Sequence, residues 1–239
     1  MKRYVEHVMG MPVSLASRRP ADAAWGAVMD ELRWVDEVFS TYKSQSFISR
    51  LARGEISVED CPPEVAEVLE LGVVAEQVSD GAFSIRRPGL DPSGVVKGWA
   101  VERAARHLAG YEFCLSAGGD MVCQSEDEPW RIGIENPHDP SRLVATVPVR
   151  SGAVATSGFA HRGAHVLDAR TGRAPSGVAS VTVVGPSLTW ADIDATAALA
   201  LDQRAAQWLR DRGRVGVVVW ADGSAEVVEP APRSLVSSV

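Results

Sequence analysis

The amino-acid sequence predicts a single α+β domain, an antiparallel-rich sheet with helices packed on it. Three observations carry that expectation. Strand-like runs cluster in the middle and at the end of the chain and do not alternate one for one with helical stretches, as a doubly wound sheet would require. With 239 residues, 46% of them hydrophobic and 23% charged, the chain can bury a core and lacks the composition of a disordered protein. No internal repeat, low-complexity tract or linker divides it, so residues 1–230 are expected to form the domain and residues 231–239 a flexible tail.

The elements follow from local pattern. Residues 3–8 and 13–16 are apolar and β-leaning, with a break at Met9-Gly10-Met11-Pro12. Residues 21–39 carry Trp25, Val28, Leu32, Val35 and Phe39 at spacings of three and four, the stripe of an amphipathic helix. Residues 62–78 repeat that pattern through Val65, Val68, Leu69 and Val73, opened by Pro62-Pro63. Residues 81–94, rich in glycine and proline, read as loop, and residues 95–108 as a helix ended by Gly110. A strand over 111–116 runs into Gly118-Gly119-Asp120, and residues 130–134, 143–149 and 153–156 are further strands. Residues 178–184 are β-branched and apolar, which predicts a buried strand. Residues 191–208 read as one helix, and 214–220 with 225–228 as a hairpin across Ala221-Asp222-Gly223.

Composition excludes several functions. The net charge of −7 argues against non-specific nucleic-acid binding, which needs a basic face. No apolar run approaches the roughly 20 residues of a membrane-spanning helix. Residues 1–10 show no apolar h-region or cleavage site, so a cytoplasmic location is expected. Cys61, Cys114 and Cys123 form no C-x-x-C pair and read as small hydrophobic thiols rather than as a disulfide framework or a zinc site.

Four constellations could carry chemistry. Asp91-Pro92-Ser93-Gly94-Val95-Val96-Lys97-Gly98 marks a helix start, whose free N–H groups and positive dipole end suit an anion. Lys2, Lys43 and Lys97 are the only lysines among 24 basic residues, and Lys97 would fall in the first turn, where a cation opposes the dipole. Either it contacts a ligand or the segment is a plain capped helix with a solvated lysine. The segment is neither a Walker A loop nor G-x-G-x-x-G. In Trp190-Ala191-Asp192-Ile193-Asp194-Ala195-Thr196, Asp192 and Thr196 share a helix face and Asp194 sits about 200° away. The first two are hard oxygen ligands suited to Mg²⁺; alternatively Asp192 is an N-cap and Thr196 bonds back to its own helix. Ala155-Thr156-Ser157-Gly158 precedes His161 and His165, where glycines argue against a helical H-x-x-x-H metal pair. His165 reads as a general base or as a hydrogen-bonded structural histidine. In Ser116-Ala117-Gly118-Gly119-Asp120, the two glycines permit either close approach to a ligand or a tight turn.

Taken in order, these pieces resemble the FAD:protein FMN transferase (ApbE-like) family. Met9-Gly10-Met11-Pro12 is similar to its M-G-T element, Phe39-Ser40-Thr41-Tyr42 with Ser46 to F-S-x-Y…S, and DPSGVVKGWA to D-L-G-G-x-x-K-G-Y-A. Gly118-Gly119-Asp120 resembles its G-G-D, Ala155-Thr156-Ser157-Gly158 its A-T-S-G, and His165-Val166-Leu167-Asp168 with Thr171-Gly172 its H-x-x-D-P-x-T-G. Ser180-Val181-Thr182-Val183, then Ala191-Asp192 and Thr196, resemble S-V-T-V…A-D-x-x-x-T. The resemblance spans residues 9–199 and implies a T-fold-related architecture.

It also implies an activity. FAD would be split at its pyrophosphate, FMN joined by a phosphoester to a Ser or Thr hydroxyl of an acceptor protein, and AMP released, with Mg²⁺ required. Asp192, Thr196 and the Gly94 carbonyl would hold Mg²⁺. Met9, Tyr42, Asp91, Lys97, Gly118, Gly119, Asp120 and Leu167 would line the FAD site, and His165 would be the base for the acceptor hydroxyl. The same parts would serve an FAD pyrophosphatase giving FMN and AMP, or a non-catalytic FAD-binding protein. The chain departs from the family pattern at Ser84, where the family has Asp, and at Met11 and Trp99. An aromatic W-x-F-like stretch before Asp91 is replaced by Arg86-Arg87-Pro88.

Overall fold

A computed structural model of the chain describes residues 1–86, 88–160 and 166–230. The strands are β1 (Lys2–Val8), β2 (Met11–Ser17), β3 (Phe113–Ala117), β4 (Asp120–Gln124), β5 (Trp130–Asn136), β6 (Asp139–Val149), β7 (Ser151–Gly158), β8 (Val178–Gly185), β9 (Val215–Trp220) and β10 (Ala225–Val228). The helices are α1 (Asp22–Phe39), α2 (Phe47–Ala52), α3 (Pro63–Val78), α4 (Ser93–Ala105), α5 (Leu188–Ala200) and α6 (Ala205–Asp211). Eight strands form one sheet in the order β1-β2-β3-β4-β7-β8-β9-β10, with antiparallel neighbours throughout. The excursion between β4 and β7 forms a separate ribbon, β5–β6. This is the α+β architecture that the sequence predicts.

The two-residue period of the strands divides the sheet into two faces. Leu15, Leu115, Ala155, Val181, Val183 and Val218 face the helices and join Leu32, Val101, Ile193 and Leu199 in the main core. The alternate residues face the ribbon: Cys123 and Val154 pack with Ile132 and Val149, and Val217 and Val219 with Ile134. The polar residues obey the same alternation, which places Asp120 and Ser157 on the helix side and Thr156, Ser180 and Thr182 on the ribbon side.

Several boundaries differ from expectation for identifiable reasons. The helix over 191–208 is broken: α5 ends at Ala200 and α6 begins at Ala205. Asp202 between them adopts φ 53°, and its carboxylate accepts the Ser176 and Gly177 amides. That tie is long-range and has no local signal. α4 starts at Ser93 rather than at 95, which puts Lys97 beyond the first turn and relieves the dipole conflict. Strand β4 follows Gly118 and Gly119, whose φ of 57° and 97° make the two-residue hairpin turn. α2, capped by Ser46, was not legible as a short helix. No helix among the described residues is long and apolar enough to cross a membrane.

Candidate functional site

A cavity of about 520 Å³ opens where the N-terminus of α4, the middle of α5, one end of the sheet and the ribbon meet. That size suits a small molecule or cofactor. Its walls differ in chemistry. Asp91, Ser93, Gly94, Lys97, Asp192 and Thr196 bring polar groups from the helix side. Met121, Ile132, Ile134 and Val154 form an apolar slot between sheet and ribbon.

The polar end is built on Lys97. Its ammonium lies 2.5 Å from Asp120 Oδ2 and 3.2 Å from Asp192 Oδ1. The lysine side chain is 15% exposed, and the two carboxylates 0% and 2%. Asp120 Oδ1 accepts the Thr156 amide at 3.0 Å, and Asp192 Oδ2 accepts the Gly98 amide at 3.0 Å. One ammonium thus faces two buried carboxylates, leaving one negative charge uncompensated within the cluster. Burial pushes the Asp192 carboxyl up to about 7; Lys97 opposes the rise and Asp120 adds to it. Burial works against the Lys97 charge, but Asp192 and Asp120 outweigh it and hold its pKa above the usual lysine value.

Each group is held by its element. Gly98 lacks the Cβ that would stand 2.8 Å from both Asp192 Cβ and the Leu188 carbonyl, so α4 and α5 pack at close range here. Glu102 fastens the same helices one turn on, where its Oε2 accepts the Ser187 hydroxyl at 2.9 Å, the Thr189 amide at 2.8 Å and the Thr189 hydroxyl. Ser187, not Asp192, is the N-cap of α5. The Thr196 and Ser157 hydroxyls share a hydrogen bond at 2.8 Å, which ties α5 to β7. Asp192 is thus not the N-cap, Thr196 is tied to β7, and both residues line the cavity. Asp194, fully buried, turns away to Arg212 and Arg214 at 2.9 and 2.5 Å. At the start of α4, Asp91 Oδ1 accepts the Ser93 amide at 3.0 Å, and the positive end of the helix meets the cavity.

Of the residues singled out in the sequence, Asp91, Gly94, Lys97, Gly118, Gly119, Leu167, Asp192 and Thr196 line this cavity. Asp120 stands behind it, in contact with Lys97. Met9 occupies the β1–β2 turn with φ 54°, and Tyr42, after α1, is 99% exposed; neither lines the cavity. His165 lies outside the described residues. Glu102 and the ribbon residues Ile132 and Ile134 were missed. Their role depends on tertiary contacts, and nothing in their local spacing marks it.

Carboxylate and hydroxyl oxygens are the donor chemistry that suits a hard cation sharing its shell with a ligand. Among the described residues no group of three or more His, Cys, Asp or Glu forms a self-sufficient metal cage. Gly94, Asp192 and Thr196 line the cavity together, and the last two carry carboxylate and hydroxyl oxygens. A small divalent cation typically completes such a set with water and substrate phosphate.

The sequence model described as the ApbE family matches residues 9–87 and 85–219. The chain is 29% identical over 151 residues to a FAD:protein FMN transferase of Klebsiella pneumoniae, covering 56% of this chain and 43% of that protein. It is 32% identical over 142 residues to one from Rhodobacter capsulatus, covering 54% and 27%. The matched stretch thus spans less than half of either relative. Among solved structures, the ApbE protein of Thermotoga maritima superposes with a TM-score of 0.82 at 20% identity, covering 95% of this chain and 97% of that one. The flavin transferase ApbE from Vibrio cholerae gives 0.81 at 19% identity, covering 96% and 97%. Likeness at that identity speaks for a shared fold.

Proposed function

The chain belongs to the ApbE family, and from that premise we propose that it is a Mg²⁺-dependent FAD:protein FMN transferase, with residues 1–230 as its catalytic unit. The observation that carries the proposal is the buried Lys97–Asp120–Asp192 cluster, one ammonium against two carboxylates, at the polar end of a two-sided cavity. A dinucleotide needs both ends: phosphate-binding groups and an apolar slot for a ring.

Asp192, Thr196 and the Gly94 carbonyl would hold Mg²⁺. The ion, when bound, supplies Lewis-acid neutralisation of the pyrophosphate oxygens. The N-terminus of α4 attracts the same phosphates, and Lys97 adds a fixed positive charge beside them. Asp120 and Asp192 keep that lysine charged and oriented. The acceptor hydroxyl oxygen attacks the FMN phosphorus as the P–O bond to the AMP phosphate breaks. AMP leaves with the electron pair, and His165 takes the hydroxyl proton. Phosphoryl transfer of this kind rests on positioning and charge neutralisation.

Asp192→Ala tests the metal assignment. It should abolish Mg²⁺-dependent FAD cleavage while the far-ultraviolet circular dichroism stays that of the wild type. Full cleavage by that variant would overturn the assignment.

A further inference from the structure

Ser180 opens the S-V-T-V run, and the proposed chemistry leaves it without a role. Ser17 Oγ and Ser180 Oγ are buried without a hydrogen-bond partner among the described residues, and of the two residues Ser180 is the one that lines the cavity. The residue is 4% exposed. Its neighbour on the same strand face is satisfied: Thr182 Oγ1 pairs with Thr156 Oγ1 at 2.9 Å.

The backbone sets this serine apart. Val178 pairs with Trp220 and Ser180 with Val219, so β8 carries one extra residue, Ala179, against β9. A bulge of this kind re-aims the side chain beside it. Across the other edge Ser180 faces Gly158, where a Cβ would stand 2.9 Å from Ser180 Cβ. Glycine there leaves the serine room to change χ1, and staggered alternatives are open to a side chain this small. Ser180 also lies on the ribbon face of the sheet, the side of Met121, Ile132, Ile134 and Val154 and not the side of Asp192. A lone hydroxyl beside an apolar slot is suited to the polar edge of a flat ring. Buried polar groups are nearly always paired, so a ligand is the natural partner for one left open at a cavity wall.

We infer that Ser180 is a substrate-binding residue whose hydroxyl donates a hydrogen bond to the edge of a planar heteroaromatic ring of the bound dinucleotide. The inference rests on the reading of this cavity as the FAD site. Isoalloxazine and adenine both present ring-edge acceptors, and separate probes distinguish them.

The experiment titrates FMN, riboflavin, AMP and adenosine into the wild-type protein and Ser180→Ala, with melting temperatures measured without ligand. Ser180→Ala is expected to weaken either the flavin pair or the adenine pair by roughly 3- to 10-fold, the loss of one neutral hydrogen bond. A loss for FMN and riboflavin alike assigns the contact to isoalloxazine; a loss for AMP and adenosine alike assigns it to adenine. The unliganded variant should melt no lower than the wild type, because it loses an unpaired hydroxyl. Unchanged affinity for all four probes, with the wild type binding them, overturns the inference and leaves the FAD reading standing. A loss confined to the phosphorylated probes, or a fall of several degrees in melting temperature, also overturns it. A wild-type protein that binds neither FAD nor any probe overturns both readings.

Discussion

The Gly98 amide donates to Asp192 Oδ2 at 3.0 Å, and no Cβ could be added to Gly98 without meeting Asp192 Cβ at 2.8 Å. A glycine inside α4 therefore sets how closely the helix bearing Lys97 approaches the helix bearing Asp192. Gly98→Ala should wedge them apart, at a cost of about 1–3 kcal/mol, and reduce FAD cleavage by about 100-fold through misplacement of the reacting groups. Gly26→Ala is the control, since a Cβ there meets nothing, and it should be neutral or stabilising by about 0.5–1 kcal/mol. Urea unfolding and AMP release measured on both variants check this; equal behaviour would contradict it.

Lys97 should matter for stability as well as for binding. Lys97→Met leaves Asp120 and Asp192 buried without their shared cation, which should cost about 3–5 kcal/mol near pH 8. Adding Asp120→Asn should recover much of that loss, because one of the two stranded charges is then gone. A double-mutant cycle by urea denaturation should show strong non-additivity. Additive losses would mean that the three groups do not act as a cluster.

The Asp192 carboxyl, raised by burial to about 7 against 3.8 for an ordinary aspartate, holds its proton more tightly in the folded than in the unfolded state. Its contribution to stability is therefore complete below pH 4 and lost as pH rises through about 7. For protein kept in a chelator, the loss across that window has an upper limit on the order of 4 kcal/mol. Asp192→Asn should flatten this dependence. Excess Mg²⁺ at pH 8 should restore the wild type by favouring the ionised carboxylate. Denaturation curves between pH 4.5 and 8.5, with and without Mg²⁺, measure both effects.

Asp194 offers the contrasting case two residues away. Its carboxylate pairs with Arg212 and Arg214, which tie α5 to the end of α6 and the start of β9. Asp194→Ala should cost about 3–5 kcal/mol by stranding two guanidinium groups. At low temperature, where the variant remains folded, it should keep FAD cleavage within a few-fold of the wild type. Loss of cleavage in a folded Asp194→Ala protein would show that the two carboxylates share a role.

The divide between Asp192 and Asp194 also shows how far the sequence could be read. Helical spacing alone put Asp192 and Thr196 on one face and Asp194 on another, and the structure keeps that separation. The strands and most helices were legible because their apolar periods, as in Trp25 to Phe39, are set by the core they bury. Convergence of Asp120, Lys97 and Asp192 was not legible locally, because it joins residues up to 95 positions apart through a hairpin and two packed helices. The break at Asp202 depends on distant amides at Ser176 and Gly177, and the apolar slot depends on a ribbon folding back over the sheet. Tyr42 illustrates the reverse: a residue prominent in a motif yet exposed and away from this cavity.

Chromatography of FAD incubated with the purified protein and an acceptor protein that carries a Ser or Thr flavinylation site, with and without Mg²⁺, tests the central claim most directly. The account predicts that AMP appears only when Mg²⁺ is present and that Asp192→Ala gives none. Absence of AMP with Mg²⁺ and the acceptor both present, even when FAD is bound, would contradict cleavage of the pyrophosphate at this site.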